Sequence, residues 1–464
     1  MVCVGSVISL PILISGKICA ENNGYARLQL ISTTLVASGI STILQSTFGV
    51  RLPLLQGPSY AFIPPILVLM NLPENRCPPE SGAFRLLSTT RPYQINSGNH
   101  DFDWRIQGGI LTASLVQMVI GLTGAIGLIT KFIGPLTIAP LMALLGLSLV
   151  DSVSLYISEH WVSVVLIFLL ILFALYLNPV QFPFLCPTRE RSCVIKWVPI
   201  FAMFPYIMAI ATTWILCLVL TESKVFNNST DLAARTDTMN DVIRDAPWIR
   251  FPYPGQFGMP FVSAAIFIGM TIGTVSSVIE SVGDYHACAR VTCQRPPPVH
   301  AVNRGIFIEG LCCLVCGLLG GFSVTTFSEN IGVIGITKVA SRITMQLAGV
   351  VLILLGVFSK AVAVMATLPD PLVGATLLIS MAMVMGVGIS SVQLIDLKLS
   401  RNMAILGLSI LAGMIIPIFA ANNAQNLTGI TQLDQIIAIF FGTKMIVGGI
   451  VGFILDNTVP GKDF

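Results

Sequence analysis

Apolar residues in this chain come in long unbroken runs, with neither the period-two alternation of strands nor the narrow stripes of soluble helices. Runs near 2–16, 28–48, 59–72, 107–129, 133–155, 161–178, 197–220, 259–284, 303–320, 329–340, 344–366, 372–393, 403–420 and 433–455 are apolar nearly throughout. Most approach the ~20 residues that cross a hydrocarbon core ~30 Å thick, so the pattern predicts about fourteen transmembrane helices. Two are too short to cross alone, the third at Ser59 and the tenth at Glu329. Each follows a short extended stretch. Gly57 and Pro58 precede the third; the β-branched, period-two Phe322-Ser323-Val324-Thr325-Thr326-Phe327 precedes the tenth and reads as a short strand, with Ser328 placed to cap the helix. Non-helical backbone at membrane depth survives only where protein or a cavity satisfies it, so the two breaks are the first candidates for a site.

The breaks also recur with a period. The interrupted third element of the first seven has its counterpart in the tenth, which is third in the second seven. An odd number of crossings per half makes the halves enter from opposite faces, an inverted repeat whose site lies near the midplane. The predicted fold is an all-α polytopic membrane protein of two inverted seven-segment repeats, with short strands before broken helices 3 and 10.

Composition agrees. Of 464 residues, 54% are hydrophobic and 10% charged, with mean hydropathy +0.85. Soluble domains carry about 25% charged residues, so a soluble globular protein is excluded. A net charge of +3 suggests no nucleic-acid partner. With the N-terminus cytoplasmic, short inner turns hold 13 of the 25 basic residues, from Arg51 and Lys131 to Arg401 and Lys462, against Glu190, Asp396, Asp456 and Asp463. Basic residues in short loops mark the inside, so both termini are placed in the cytoplasm. That topology puts the glycosylation sequons of Asn227, Asn228 and Asn426 outside. The eleven cysteines suggest neither a disulfide framework nor zinc, since Cys312, Cys313 and Cys316 sit mid-span without His or carboxylate partners at ligand spacing.

Four acids fall inside predicted spans: Glu280, Asp284, Glu309 and Glu329. A charge at a helix centre in lipid costs ~2.5 to 3.5 kcal/mol on insertion scales, so each needs a partner or a wet cavity. Glu280 and Asp284, four apart on one helix face, suit either a ligand or a helix–helix contact. Glu329 would open a half-helix inside the membrane, as a ligand group or as a mere complement to the helix N-terminus. Glu309, one turn from the basic end at Arg304, reads as structural. Tyr60, in the matching break, offers an aromatic wall or simple packing. No Ser-His or metal-ligand constellation accompanies the acids, and His286 and His300 belong to a cytoplasmic turn, so an enzyme is not expected. No G-x-x-x-x-G-K-[ST] signature points to ATP.

These residues carry a resemblance. Ser328-Glu329-Asn330-Ile331-Gly332-Val333-Ile334-Gly335-Ile336-Thr337-Lys338 resembles the signature of the nucleobase-ascorbate transporter family, and Glu280-Ser281-Val282-Gly283-Asp284-Tyr285 its eighth-helix motif. Gln56 to Pro65, Asn303 to Gly310 and Leu455 to Gly461 match as well, in order, so the resemblance runs from about Gly5 to Gly461. It implies a core domain (1–130 and 259–368, helices 1–4 and 8–11) and a gate domain (131–258 and 369–464, helices 5–7 and 12–14), usually in a homodimer. It implies substrate-binding roles for Glu280, Glu329, Tyr60, Ser328 and Ser59, and coupling roles for Asp284 and Asn330. Within the family the chain resembles the vertebrate branch that uses sodium. One departure is at the start, where Val2 to Gly16 are too few to span alone and the family's Gln-His pair, expected just upstream, is absent.

Glu329 bears on the cargo, because the family's ascorbate carriers have proline at that position while its nucleobase carriers have an acid or amide. Ascorbate is an anion near neutral pH, and a carboxylate ~4 Å away would oppose it by ~4 kcal/mol at an effective dielectric of 20. Uracil, thymine, hypoxanthine, xanthine and guanine are mainly neutral and offer N–H donors that an ionised carboxylate accepts strongly. The expected function is nucleobase import across the plasma membrane by sodium symport with elevator-type motion, without a cofactor and with the proton as alternative coupling ion. The rival expectations are ascorbate transport and a shortened, non-transporting membrane partner of a full-length carrier.

Overall fold

The computed structural model describes residues 3–17, 24–71, 100–187, 193–226, 229–258, 260–337, 339–393, 395–423 and 430–461. The sequon residues Asn227, Asn228 and Asn426 lie outside the described residues. Helices dominate. Among the described residues eight are long and apolar enough to cross a bilayer, or nine if a pair bent by 72° near the C-terminal end counts as one span.

The first half runs α1 (Cys3–Lys17), α2 (Gly24–Thr47), strand β1 (Gln56–Pro58), a 3-10 turn (Tyr60–Phe62) and α3 (Ile63–Asn71). Then come α4 (His100–Thr123), α5 (Ala125–Phe132), α6 (Pro135–Ser148), α7 (Val150–Ser158) and α8 (Val162–Ile171), the hairpin β2 (Phe182–Pro187) and β3 (Cys193–Val198), and α9 (Ile200–Met203), α10 (Pro205–Glu222) and α11 (Asn240–Asp245). The second half has α12 (Ala264–Val291), α13 (Val299–Leu319), strand β4 (Val324–Thr326), α14 (Ser328–Thr337), α15 (Arg342–Val357) and α16 (Ser359–Ala366). It ends with α17 (Asp370–Val392), α18 (Ser400–Asn423) and the bent pair α19 (Thr431–Gly442) and α20 (Lys444–Thr458).

Several runs that hydropathy reads as single helices are divided. Gly124, at φ +73°, separates α4 from α5, a backbone angle that suits a residue without Cβ. The run expected to be helical from 197 instead begins in the β2–β3 hairpin, and Pro199 and Pro205, which lack an N–H, stand at the starts of α9 and α10. The run expected from 259 begins at Ala264, where the Ser263 hydroxyl accepts the Ile266 N–H, and continues to Val291. Between α15 and α16 the broken backbone is completed from outside the helix. The Arg250 N–H donates to the Val357 carbonyl (3.0 Å) and the Ser359 N–H to the Trp248 carbonyl (3.1 Å).

Two packing groups emerge. In one, α2 lies on α15 and α4 on both α12 and α13; in the other, α6 lies on α17 and α20, and α18 on α20. The α2–α15 contact brings backbone to backbone: a Cβ on Gly39 would fall 2.5 Å from the Gly349 carbonyl oxygen. Small residues permit such crossings in lipid, where dispersion and not water exclusion drives helix association. The groups meet along α1–α17 and α12–α19.

At the centre, β1 pairs antiparallel with β4, Gln56 opposite Thr326 and Pro58 opposite Val324. The Ser59 N–H donates to the Ser323 carbonyl (2.8 Å) and the Phe327 N–H to that of Leu55 (3.0 Å), so the ends of this small sheet are also satisfied. Each strand runs into the N-terminus of a short helix. The helices therefore depart from opposite ends of the sheet with their positive dipole ends turned inward.

Candidate functional site

The site is organised by α12, which carries two polar stripes at four-residue spacing about 100° apart. Ser277, Ser281 and Tyr285 form one stripe; Ser276, Glu280 and Asp284 form the other.

The first stripe encloses Glu309 of α13. Ser281 Oγ donates to both of its carboxylate oxygens (2.8 and 2.9 Å), Tyr285 OH to Oε2 (3.1 Å), Thr325 Oγ1 and Gln117 Nε2 to Oε1 (3.2 and 3.1 Å). Gln45 of α2 in turn donates to the Tyr285 hydroxyl at 2.5 Å. Glu309 is 1% exposed, deeper than its distance from Arg304 along the sequence suggests. Its hydrogen bonds bind α4, α12, α13 and β4 together, in keeping with a structural acid.

The second stripe faces the start of α14. Ser328 Oγ donates to both oxygens of Asp284 (3.0 and 2.8 Å), so its hydroxyl ties two helices together instead of capping one as the sequence pattern suggests. Glu280 is 5% exposed, and its Oε2 has no hydrogen-bond partner among the described residues; neither does Ser276 Oγ, one turn away. Glu329, 2% exposed, accepts from Ser6 Oγ at 3.1 and 2.9 Å. Asp284, Glu309 and Glu329 all lie within electrostatic reach of Glu280. Among the described residues no Lys, Arg or His pairs with any of the four acids; ion pairs such as Arg27–Asp370, Arg401–Asp456 and Lys444–Asp151 involve other carboxylates.

The remaining sequence candidates surround this cluster. Tyr60 is 2% exposed, and its hydroxyl lies beside Ser6 and Ser380 without a well-formed hydrogen bond to either. Ser59 is buried and its hydroxyl accepts the Ala61 N–H (3.3 Å), capping the 3-10 turn. Asn330 donates its amide to the Pro53 carbonyl (3.2 Å), bracing α14 against the segment before β1. Gly273 lets α12 approach Phe62, which meets Phe322 edge to face with centroids 6.4 Å apart. Ser6 and Ser380 escaped sequence reasoning because a lone serine in an apolar run is indistinguishable from a packing residue. A small cavity between Pro11, Leu30, Gln107 and Phe322 lies apart from the acids.

Broken helices with inward N-termini and buried acids at one place, inside a bundle of membrane-spanning helices, define a multi-pass carrier of small solutes. The chain matches the profile of a permease family, Xan_ur_permease, over residues 1–421, and it belongs to that family, which includes the nucleobase-ascorbate transporters. It is 42% identical to rat solute carrier family 23 member 2 over 99% of this chain and 71% of that protein. With rat solute carrier family 23 member 1 it shares 40% identity, over 100% of this chain and 77% of that one. Nucleobase-ascorbate transporter 1 of Arabidopsis thaliana is 31% identical over 98% and 84%. The fold is similar to that of murine solute carrier 26 family member A9, an anion transporter in the inward-facing state (TM-score 0.51, 12% identity, 99% of this chain and 68% of that chain). The protein is a multi-pass membrane transporter and not an enzyme.

Proposed function

We propose that the chain imports nucleobases across the plasma membrane by sodium symport, with Glu280 and Glu329 accepting the N–H groups of the base. The observation that carries this reading is the Glu280 carboxylate, buried with an oxygen unpartnered, in the same acidic cluster as Glu329. A buried carboxylate oxygen without a donor is costly, and an N–H from a planar neutral ligand relieves that cost. The inward helix N-termini beside Ser59 and Ser328 suit the ring carbonyls, and Tyr60 supplies an aromatic face.

Four acids that no Lys, Arg or His pairs with among the described residues also favour a co-transported cation, for which Asp284 and Asn330 are the coupling candidates. Ion and base each stabilise the state that binds the other, a reciprocal free energy. In this reading the helices form fourteen spans in two inverted repeats. The α2–α15 group serves as the core that carries the site and the α6–α17 group as the gate, both termini are cytoplasmic, and two copies associate.

Ascorbate is the second reading, favoured by the name of the plant relatives. Cells expressing the chain, given labelled uracil, hypoxanthine and ascorbate in sodium medium and again with choline in place of sodium, separate the two. The proposal expects uracil or hypoxanthine uptake that falls to background in choline. Sodium-dependent ascorbate uptake without either base would overturn the cargo assignment.

A further inference from the structure

Ser6 of α1 sits between Glu329 and the second packing group. Its Oγ lies 3.1 and 2.9 Å from the two oxygens of Glu329 and 3.1 Å from Ser380 Oγ of α17. One turn along, Ser9 and Thr376 repeat the α1–α17 contact with their hydroxyl oxygens 2.5 Å apart. Ser6, Ser9, Thr376 and Ser380 are all at most 1% exposed.

Counting protons gives the contact a direction. With Glu329 ionised, as base binding requires of it, the carboxylate has no proton to donate, so the single Ser6 hydroxyl proton goes to Glu329. The Ser6 oxygen is then an acceptor, and Ser380 donates to it. Likewise Thr376 donates to the Val373 carbonyl (2.8 Å), which leaves Ser9 as the donor to Thr376. The result is a polarised chain, Ser380 to Ser6 to Glu329, in which each bond strengthens the next. It fixes the Glu329 rotamer from outside α14. It also holds the Ser6 proton away from any ligand carbonyl.

We infer that Ser6 and Ser380 are positioning residues that set the specificity of Glu329 for ligands with an N–H edge, and that this setting holds only while α17 is docked on α1. The inference rests on the reading of Glu329 as a base-binding carboxylate.

Ser6→Ala, Ser380→Ala and the double variant, compared at equal surface level, test it through uracil and hypoxanthine uptake. Each single variant should raise KM roughly tenfold, the size of one lost charge-assisted hydrogen bond, with the maximal rate kept within about twofold. The double variant should be no worse than Ser6→Ala, because that change already breaks the chain. Ser6→Thr and Ser380→Thr, which keep a hydroxyl, should recover most of the affinity. In purified protein without substrate, the infrared carboxylate band that Glu329→Gln removes should shift in Ser6→Ala and also in Ser380→Ala. Unchanged KM, multiplying effects in the double variant, or a band indifferent to Ser380→Ala would each overturn the inference. Glu329→Gln measured alongside separates the layers. Normal uptake by that variant sinks the base-binding reading itself, whereas lost uptake beside unaffected serine variants sinks only the relay.

Discussion

Glu280 and Glu309 are the same residue type in the same bundle, and their surroundings differ. Glu309 receives donors from Ser281, Tyr285, Thr325 and Gln117, while Glu280 keeps an oxygen unpartnered. The difference comes from the rotation between the two stripes of α12, one turned to α13 and β4 and the other to α14. Glu309→Gln replaces an acceptor-only group with one that brings donors into a shell already composed of donors. It should lower stability by about 2 kcal/mol or more, read as a fall in the melting temperature of detergent-purified protein. An unchanged melting temperature would contradict the structural role. The acids themselves were legible in the sequence, because ionisable residues in apolar runs are conspicuous. Their partners were not: Ser6 and Glu329 stand 323 positions apart, and nothing local joins them.

Among the elements, the short β1–β4 sheet governs how the two half-helices are presented. Gly57 faces Phe327 so closely that a Cβ would lie 1.8 Å from the ring, which is itself 3% exposed and has little room to withdraw. Gly57→Ala should therefore sharply reduce the protein at the cell surface, and pairing it with Phe327→Ala should restore part of it. Normal surface biotinylation of Gly57→Ala alone would refute the close contact. Arg27 of α2 and Asp370 at the start of α17 form a bidentate ion pair (2.9 and 3.1 Å) that joins the two packing groups away from the acids. The breaks before Ser59 and Glu329 could be read from Gly57, Pro58 and the β-branched run, whose chemistry is local. The pairing of Gln56 with Thr326 could not, being 270 positions apart. The β2–β3 hairpin was hidden for another reason: Phe182–Pro187 and Cys193–Val198 are too apolar for hydropathy to distinguish from helix.

At the scale of the whole molecule, the bundle buries four acids that no Lys, Arg or His pairs with among the described residues. A buried acid is relieved by a proton, by neutral donors or by a cation, and in the proposed function base and ion supply that relief together. Two packing groups meet along α1–α17 and α12–α19, and Glu329 lies beside the first of these seams through Ser6 and Ser380. The most direct measurement is uptake of labelled uracil and hypoxanthine by Glu280→Gln and Glu329→Gln at surface levels matched to the parent. Each substitution should abolish or strongly reduce uptake while the protein reaches the membrane. Parent-level uptake in both variants would contradict the binding roles proposed for the two acids.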